Sequence, residues 1–296
     1  MDKQQKNKEI EEYVKKKIGG YLAGLYEGDG HIWIQKDCGK KRHNPKFQIT
    51  FNIKDQNQAQ MLIEGISHGY LTLYPKKNAC KLTIGTVRGL KKIIELMSDY
   101  LRTPKINQVN DLIKWLNKNH NTAYELKKIN TTDLYEDGWL SGFLDSDGNF
   151  MIRLTKKENG AKKTRIACRV RIDQQRSYKK TNESFEPIMS AISQKLNGKS
   201  SPSIRTQVKE SYFVVEGSTL TYLLNLSNYL YKYRLYSTKF YDFLNWNECL
   251  QLLKHKTAYL NLNKIETLKN QMNNKREKGI ALKDVIELKN LLTNML

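Results

Sequence analysis

A nine-residue pattern occurs twice in this chain and constrains the fold more than any other feature. It reads Leu22-Ala23-Gly24-Leu25-Tyr26-Glu27-Gly28-Asp29-Gly30 and returns as Leu140-Ser141-Gly142-Phe143-Leu144-Asp145-Ser146-Asp147-Gly148. The copies put Asp29 and Asp147 at the same point, 118 positions apart (147 − 29). A motif that returns in this way predicts a duplicated structural unit. An acid that returns with it predicts a site served by both halves.

The apolar positions leading into each copy (Ile18, Tyr21, Leu22 and Leu25, then Leu140, Phe143 and Leu144) follow helical spacing. Gly24 and Gly142 then fall mid-helix, where glycine costs about 1 kcal/mol relative to alanine, so something compensates. Small residues at 23/24 and 141/142 let two helices approach backbone to backbone. Equivalent helices packed in this way bring Asp29 and Asp147 together at their C-terminal ends, and Gly30 and Gly148 permit the turn into a strand. Two carboxylates beside a phosphate backbone invite Mg²⁺, a hard cation. Two such ions ~3.5–4 Å apart stabilise the attacking and leaving oxygens of a phosphodiester. A structural helix cap would explain one copy; it does not explain two in matched contexts. The run Asp145-Ser146-Asp147-Gly148-Asn149 resembles a calcium loop, but Phe150 stands where that loop needs glycine and no glutamate follows in phase.

The net charge is the second constraint. Lys+Arg 51 against Asp+Glu 30 gives +21, spread along the chain rather than gathered in a tail. With 39% hydrophobic and 10% aromatic residues the chain is globular, so the excess implies a basic surface on a folded body. Such a surface attracts a polyanion, and nucleic acid is the first candidate. Cys38, Cys80, Cys168 and Cys249 are scattered without metal-binding spacing, which points away from zinc and from a disulfide framework. No run approaches the ~18 apolar residues of a membrane span. The first 17 residues are rich in Lys, carry four acids and lack arginine, and read as neither a signal nor an organellar transit peptide.

Each half reads in one order: helix, two strands, helix, two strands, two helices. Strand alternation covers 31–37, 47–54, 70–74 and 81–86, then 149–155, 165–174, 203–209 and 212–216. Helical patterns cover 58–67, 87–101 and 106–119, then 186–196, 218–231 and 241–256. The fold class is therefore α+β in two similar halves. The expected boundaries are a first repeat at 10–118, a polar linker at 119–135, a second repeat at 136–262 and a helical extension at 263–296. The extension either packs on the body or projects from it.

The paired motif resembles that of the LAGLIDADG homing endonucleases, in their single-chain form with two motifs, from about residue 15 to 275. The resemblance implies two pseudo-symmetric αββαββα repeats with motif helices at the interface and saddle-shaped antiparallel sheets straddling DNA. It implies metal binding by Asp29 and Asp147, with Gly28 and Ser146 beside them in the ligand set, and structural use of Glu27 and Asp145. It places a basic residue of each half near the scissile phosphates. Lys105, in Thr103-Pro104-Lys105, and Lys239, in Ser237-Thr238-Lys239, match, for electrostatic stabilisation or water positioning. A polar residue at the end of the second strand orders water in this family. Gln174 matches, whereas the first half offers Asp55, which implies unlike surroundings for the two cuts.

Strand parity then selects the residues that face DNA. In 165–172, Ile166, Cys168, Val170 and Ile172 form the apolar set, leaving Arg165, Arg169 and Arg171 for guanine edges and phosphates. The same parity selects Trp33, Gln35, Gln48, Thr50, Lys81 and Thr83 in the first half, and Met151, Arg153, Thr155, Arg205 and Gln207 in the second. The basic loops 36–46 and 156–163 would lengthen the footprint. The expected activity is that of a monomeric, site-specific, Mg²⁺-dependent double-strand DNA endonuclease, with Mn²⁺ or Ca²⁺ able to substitute for binding. Its long target is imperfectly palindromic, since unequal halves need unequal half-sites, and the resemblance implies a cut with a short stagger. The alternative is an intron RNA maturase, with or without nuclease activity. The implied gene lies in a mobile organellar intron, mitochondrial in the first instance and chloroplast in the second.

Overall fold

The computed structural model describes residues 3–35, 43–157, 163–207 and 210–295. Two compact units result, Met1–Ser146 with Gly279–Leu296, and Asp147–Lys278. In the first, α1 (Lys3–Asp29) runs into β1 (Gly30–Trp33) and β2 (Lys46–Asn52). Then come α2 (Gln56–Ile66), β3 (Tyr70–Tyr74), β4 (Ala79–Ile84), α3 (Val87–Met97), α4 (Ile106–His120) and α5 (Trp139–Asp147). The second unit repeats the order with β5 (Gly148–Thr155), β6 (Arg165–Gln175), α6 (Glu186–Asn197), β7 (Ser203–Gln207), β8 (Glu210–Gly217), α7 (Leu220–Lys232) and α8 (Lys239–Lys254). Two helices follow, α9 (Leu262–Asn270) and α10 (Leu282–Thr293).

Each unit holds one four-stranded antiparallel sheet, in the orders β1-β2-β4-β3 and β5-β6-β8-β7. The same alternation makes both. Phe47, Ile49 and Phe51 turn one face of β2 inward, and Cys168, Val170 and Ile172 do so for β6. Helices cover the inward faces. On α3 the buried stripe is Leu90, Ile93, Ile94 and Met97, and the Thr86 side chain caps the helix by accepting from the Gly89 N–H at 3.2 Å.

The α+β class and the order of elements agree with the sequence reading. One difference is α1, which reaches back to Lys3 rather than starting near Ile18. Good helix formers fill that stretch, Glu12 pairs with Lys16 at 2.9 Å, and Lys17 reaches Glu287 of α10 at 2.6 Å. The polar segment expected as a linker is pinned along α4. Asn110 donates to the Lys127 carbonyl and accepts from its N–H, at 3.0 and 2.8 Å.

The extension divides between the units. In the second, α9 packs on α8 and β5; in the first, α10 packs on α2. There the Ile280 N–H donates to the Lys54 carbonyl at 2.9 Å, and Lys289 pairs with Glu64 at 2.7 Å. Among the described residues no helix is long and apolar enough to cross a membrane. Of the expected basic loops, residues 36–42 and 158–162 lie outside the described set, as do 208–209 at the end of an expected strand.

Candidate catalytic centre and nucleic-acid interface

Tyr21 and Trp139 occupy equivalent positions in the repeat, as do Glu27 and Asp145. The first unit uses both pairs reciprocally. The Tyr21 hydroxyl donates to Asp145 Oδ2 at 2.7 Å, and the Trp139 indole N–H donates to Glu27 Oε2 at 2.6 Å. The glycines mirror each other too. A Cβ on Gly24 would land on the Trp139 carbonyl oxygen, and one on Gly142 on the Tyr21 carbonyl oxygen. Glycine at these positions is what lets the two motif helices touch through their backbones.

Glu27 is wholly buried and accepts three further hydrogen bonds. The Arg102 N–H is at 2.8 Å, and the Thr103 N–H and hydroxyl are at 2.7 and 2.6 Å. It therefore fastens the segment leading to Lys105 onto α1. The Lys105 ammonium lies 2.6 Å from the Gly28 carbonyl and 3.2 Å from that of Gly30. A cation at the C-terminal end of a helix complements its exposed carbonyls. Asp29, the last residue of α1, is exposed there. The Gly28 carbonyl, expected among the metal ligands, is engaged by that ammonium.

In the second half Asp147 is half-buried at the end of α5. The Ser146 hydroxyl turns back along the helix and donates to the Phe143 carbonyl at 2.9 Å. The two lysines sit in the same local turn. The Lys105 N–H donates to Thr103 Oγ1 at 3.2 Å, and the Lys239 N–H to Ser237 Oγ at 3.1 Å. Gln174 is the penultimate residue of β6, at the strand's end as expected; it is paired with Phe213 and by parity shares the face of Ile172 rather than of the arginines. Asp55 is buried at the 3₁₀ turn after β2, so the two polar positions have unlike surroundings.

Register assembles the outward sheet faces. In the first unit one row runs His31, Gln48, Thr83, Tyr70, and another Thr50, Lys81, Thr72. Trp33 is exposed beside Lys46, whose ammonium is 5.9 Å from the indole centroid; half-buried Gln35 accepts from the His43 N–H at 2.7 Å. Thr83 corrects the parity reading. It is on the selected face but only 2% exposed, and it accepts from Gln48 at 3.2 Å, so it supports Gln48 from below.

In the second unit Arg153 and Arg165 are exposed, while Met151, Thr155, Arg169 and Arg171 are half-buried on the same face. The arginine row is not a bare line of cations. Arg169 pairs with Glu216 at 2.6 Å, and Asp173 holds Arg171 and Arg205, each at 2.7 Å. These ion pairs set the guanidinium planes before any ligand arrives. Gln207 ends β7, and its side chain is outside the described set.

The LAGLIDADG endonuclease family model matches residues 22–116 and 140–250, both copies of the motif included. The chain belongs to the LAGLIDADG endonuclease family. It is 27% identical to the intron-encoded DNA endonuclease aI3 of Saccharomyces cerevisiae over 83% of this chain and 66% of that protein. It is 25% identical to an uncharacterized cox1 intron-2 protein of Schizosaccharomyces pombe over 80% of this chain and 66% of that one. The chain thus spans just under two thirds of the length of these relatives. Among solved structures, the LAGLIDADG meganuclease I-AabMI, bound to uncleaved DNA, shares the fold with a TM-score of 0.63 at 19% identity. That match covers 86% of this chain and 99% of the other.

For a LAGLIDADG protein, the sheet faces add residues that the sequence reading passed over. His31 pairs directly with Gln48 and is exposed; its parity with Trp33 was available in the sequence. Tyr70, Thr72 and Tyr74 share a face of edge strand β3, where neither face is buried and alternation therefore carries no signal. In β6, Asp173 shares the arginine face and ties Arg171 to Arg205. One stability prediction arises from the same centre. Burial pushes the Glu27 carboxyl from 4.5 up to about 7, against the four donors that favour its charge. A raised value contributes stability that is full below 4.5 and lost as pH rises through about 7. Relative to Glu27→Gln, the wild type should therefore lose about 2–3 kcal/mol of unfolding free energy between those limits. Denaturant titrations of both proteins across that range measure it; a flat or inverted difference would show that the donors outweigh burial.

Proposed function

We propose that this protein is a site-specific, Mg²⁺-dependent endonuclease that cuts both strands of a long, pseudo-palindromic DNA duplex with a short stagger. The observation that carries the proposal is the placing of Asp29 and Asp147. Each carboxylate ends a motif helix, where the helix dipole disfavours negative charge by about 0.3–1 kcal/mol, so stability does not account for either acid. Among the described residues no group of three or more His, Cys, Asp or Glu side chains gathers as a closed metal site. One or two carboxylates completed by substrate phosphate and water is the habit of Mg²⁺, so the donor set fits that ion. Bound at Asp29 and Asp147, with Gly28 and Ser146 alongside, it would supply charge neutralisation at the phosphodiester. Lys105, already fixed by two carbonyls, and Lys239 would offset the charge that develops on the phosphate. Gln174 would position water.

The faces that would read DNA differ between repeats: Trp33, Gln48, Thr50 and Lys81 in one, Met151, Arg153, Arg165, Arg169 and Arg171 in the other. Unlike faces imply unlike half-sites. The protein would act as a monomer encoded in a mitochondrial intron, with a chloroplast intron as the alternative; the cox1 intron relative supports the former. Cleavage of a randomised duplex library with Mg²⁺ tests the function. Discrete cut sites, abolished by a chelator, are the expected result and would also reveal the target. No cutting, together with tight binding of a structured intron RNA, would replace this reading with the maturase.

A further inference from the structure

Within the second unit a cavity of about 470 Å³ opens between the outward face of the sheet and the chain that follows the second repeat. The sheet contributes Arg153, Arg169 and Arg171; the chain contributes Lys269, Asn274 and Lys275. The segment is fastened with care. Met272 is 2% exposed beneath it. Asn273 takes a left-handed φ of 55° and donates from its side chain to the Phe150 carbonyl of edge strand β5 at 3.0 Å. The buried carboxylate of Asp242 accepts from the Asn273 N–H at 3.1 Å and from Arg276 at 3.1 and 3.0 Å.

These contacts explain Met272, Asn273 and Arg276 as structure. They do not explain why the neighbours turned toward the cavity are cationic or amide-bearing. Among the described residues the one acid lining the cavity, Glu216, is already paired with Arg169 at 2.6 Å, and Lys275 leans on the neutral side-chain oxygen of Asn270 at 2.6 Å. Cations outnumber acids in this lining, and a cleft with such an excess of one sign concentrates the opposite sign.

We infer that residues 269–275 form a phosphate-binding flank to the second sheet, with Lys269, Asn274 and Lys275 gripping the DNA backbone while the arginines of β5 and β6 face the bases. This rests on the DNA-binding reading above and extends the recognition surface beyond both repeats. The segment would hold the duplex without reading its sequence, since phosphate contacts position and base contacts specify.

The test is binding of a long random-sequence DNA duplex over a salt series, with chelator present, by wild type, Lys275→Gln and Lys269→Gln/Lys275→Gln. Each lost phosphate contact should reduce the slope of log affinity against log salt by about 0.9, hence about 1.8 for the double variant. Lys264→Gln, on the same helix but paired with Glu248 and outside the cavity lining, is expected to leave the slope unchanged. Matching melting temperatures would show that the variants fold, and exposed Lys275 alone suffices should the double variant not. A double variant with the wild-type slope would overturn the inference while leaving DNA binding intact. A wild type that does not bind the duplex would overturn the DNA reading itself.

Discussion

Asp29→Asn should slow cutting of the target by about 10³-fold, and Asp147→Asn should do the same, while duplex affinity stays within a few-fold of wild type. The substitution keeps size and shape but exchanges one carboxylate oxygen for a neutral NH2 group, removing the charge and one acceptor. On the proposed mode of binding, affinity should survive, because it would come from lysines and arginines meeting phosphates, spread over two sheet faces. Stability should change by less than about 1 kcal/mol, since Asp29 is exposed and a helix C-terminus gains nothing from a carboxylate. The acid two positions earlier offers the contrast. Glu27 accepts four hydrogen bonds in the core, so its removal acts through folding and lowers binding and cutting together. Parallel measurement of cutting, binding and melting separates the two roles. Cutting by Asp29→Asn within tenfold of wild type would remove that carboxylate from the chemistry.

That contrast also marks what the sequence could and could not reveal. Strand and helix positions were legible because single residues carry the alternation: Phe47, Ile49 and Phe51 in one sheet, Cys168, Val170 and Ile172 in the other. The family was legible because the motif is duplicated. What escaped depends on contacts remote in sequence. Thr83 has the right parity, yet Gln48, 35 positions away, covers it. Arg171 and Arg205 read as independent cations, yet one carboxylate, Asp173, holds both. The place of the tail turned on pairings such as Ile280 with Lys54, across more than two hundred residues, which no local pattern encodes. Residues 3–17 failed to register as helix for a different reason. Their apolar periodicity is weak, and ion pairs such as Glu12 with Lys16 support the helix instead.

Gly24→Ala and Gly142→Ala should each cost about 4 kcal/mol or prevent folding, at the far end of the range for single substitutions. Propensity alone predicts the opposite sign, because alanine in a helix gains about 1 kcal/mol over glycine. Packing reverses it. The added Cβ of Gly24 would fall on the Trp139 carbonyl oxygen and stand 2.7 Å from the Phe143 nitrogen. At Gly142 the Tyr21 carbonyl oxygen and the Leu25 nitrogen, at 2.8 Å, occupy the same place. These are backbone atoms of a helix, so neither neighbour relieves the clash by changing rotamer. Only separation of the helices does, and that pulls on the Tyr21–Asp145 and Trp139–Glu27 hydrogen bonds. Gly85→Ala is the matched control. Its Cβ would meet nothing closer than the Pro45 carbonyl at 3.7 Å, so it should be neutral within about 1 kcal/mol. Chemical denaturation of the three variants decides the matter. If Gly24→Ala proved as stable as Gly85→Ala, the backbone contact between the motif helices would not be what requires glycine in each repeat.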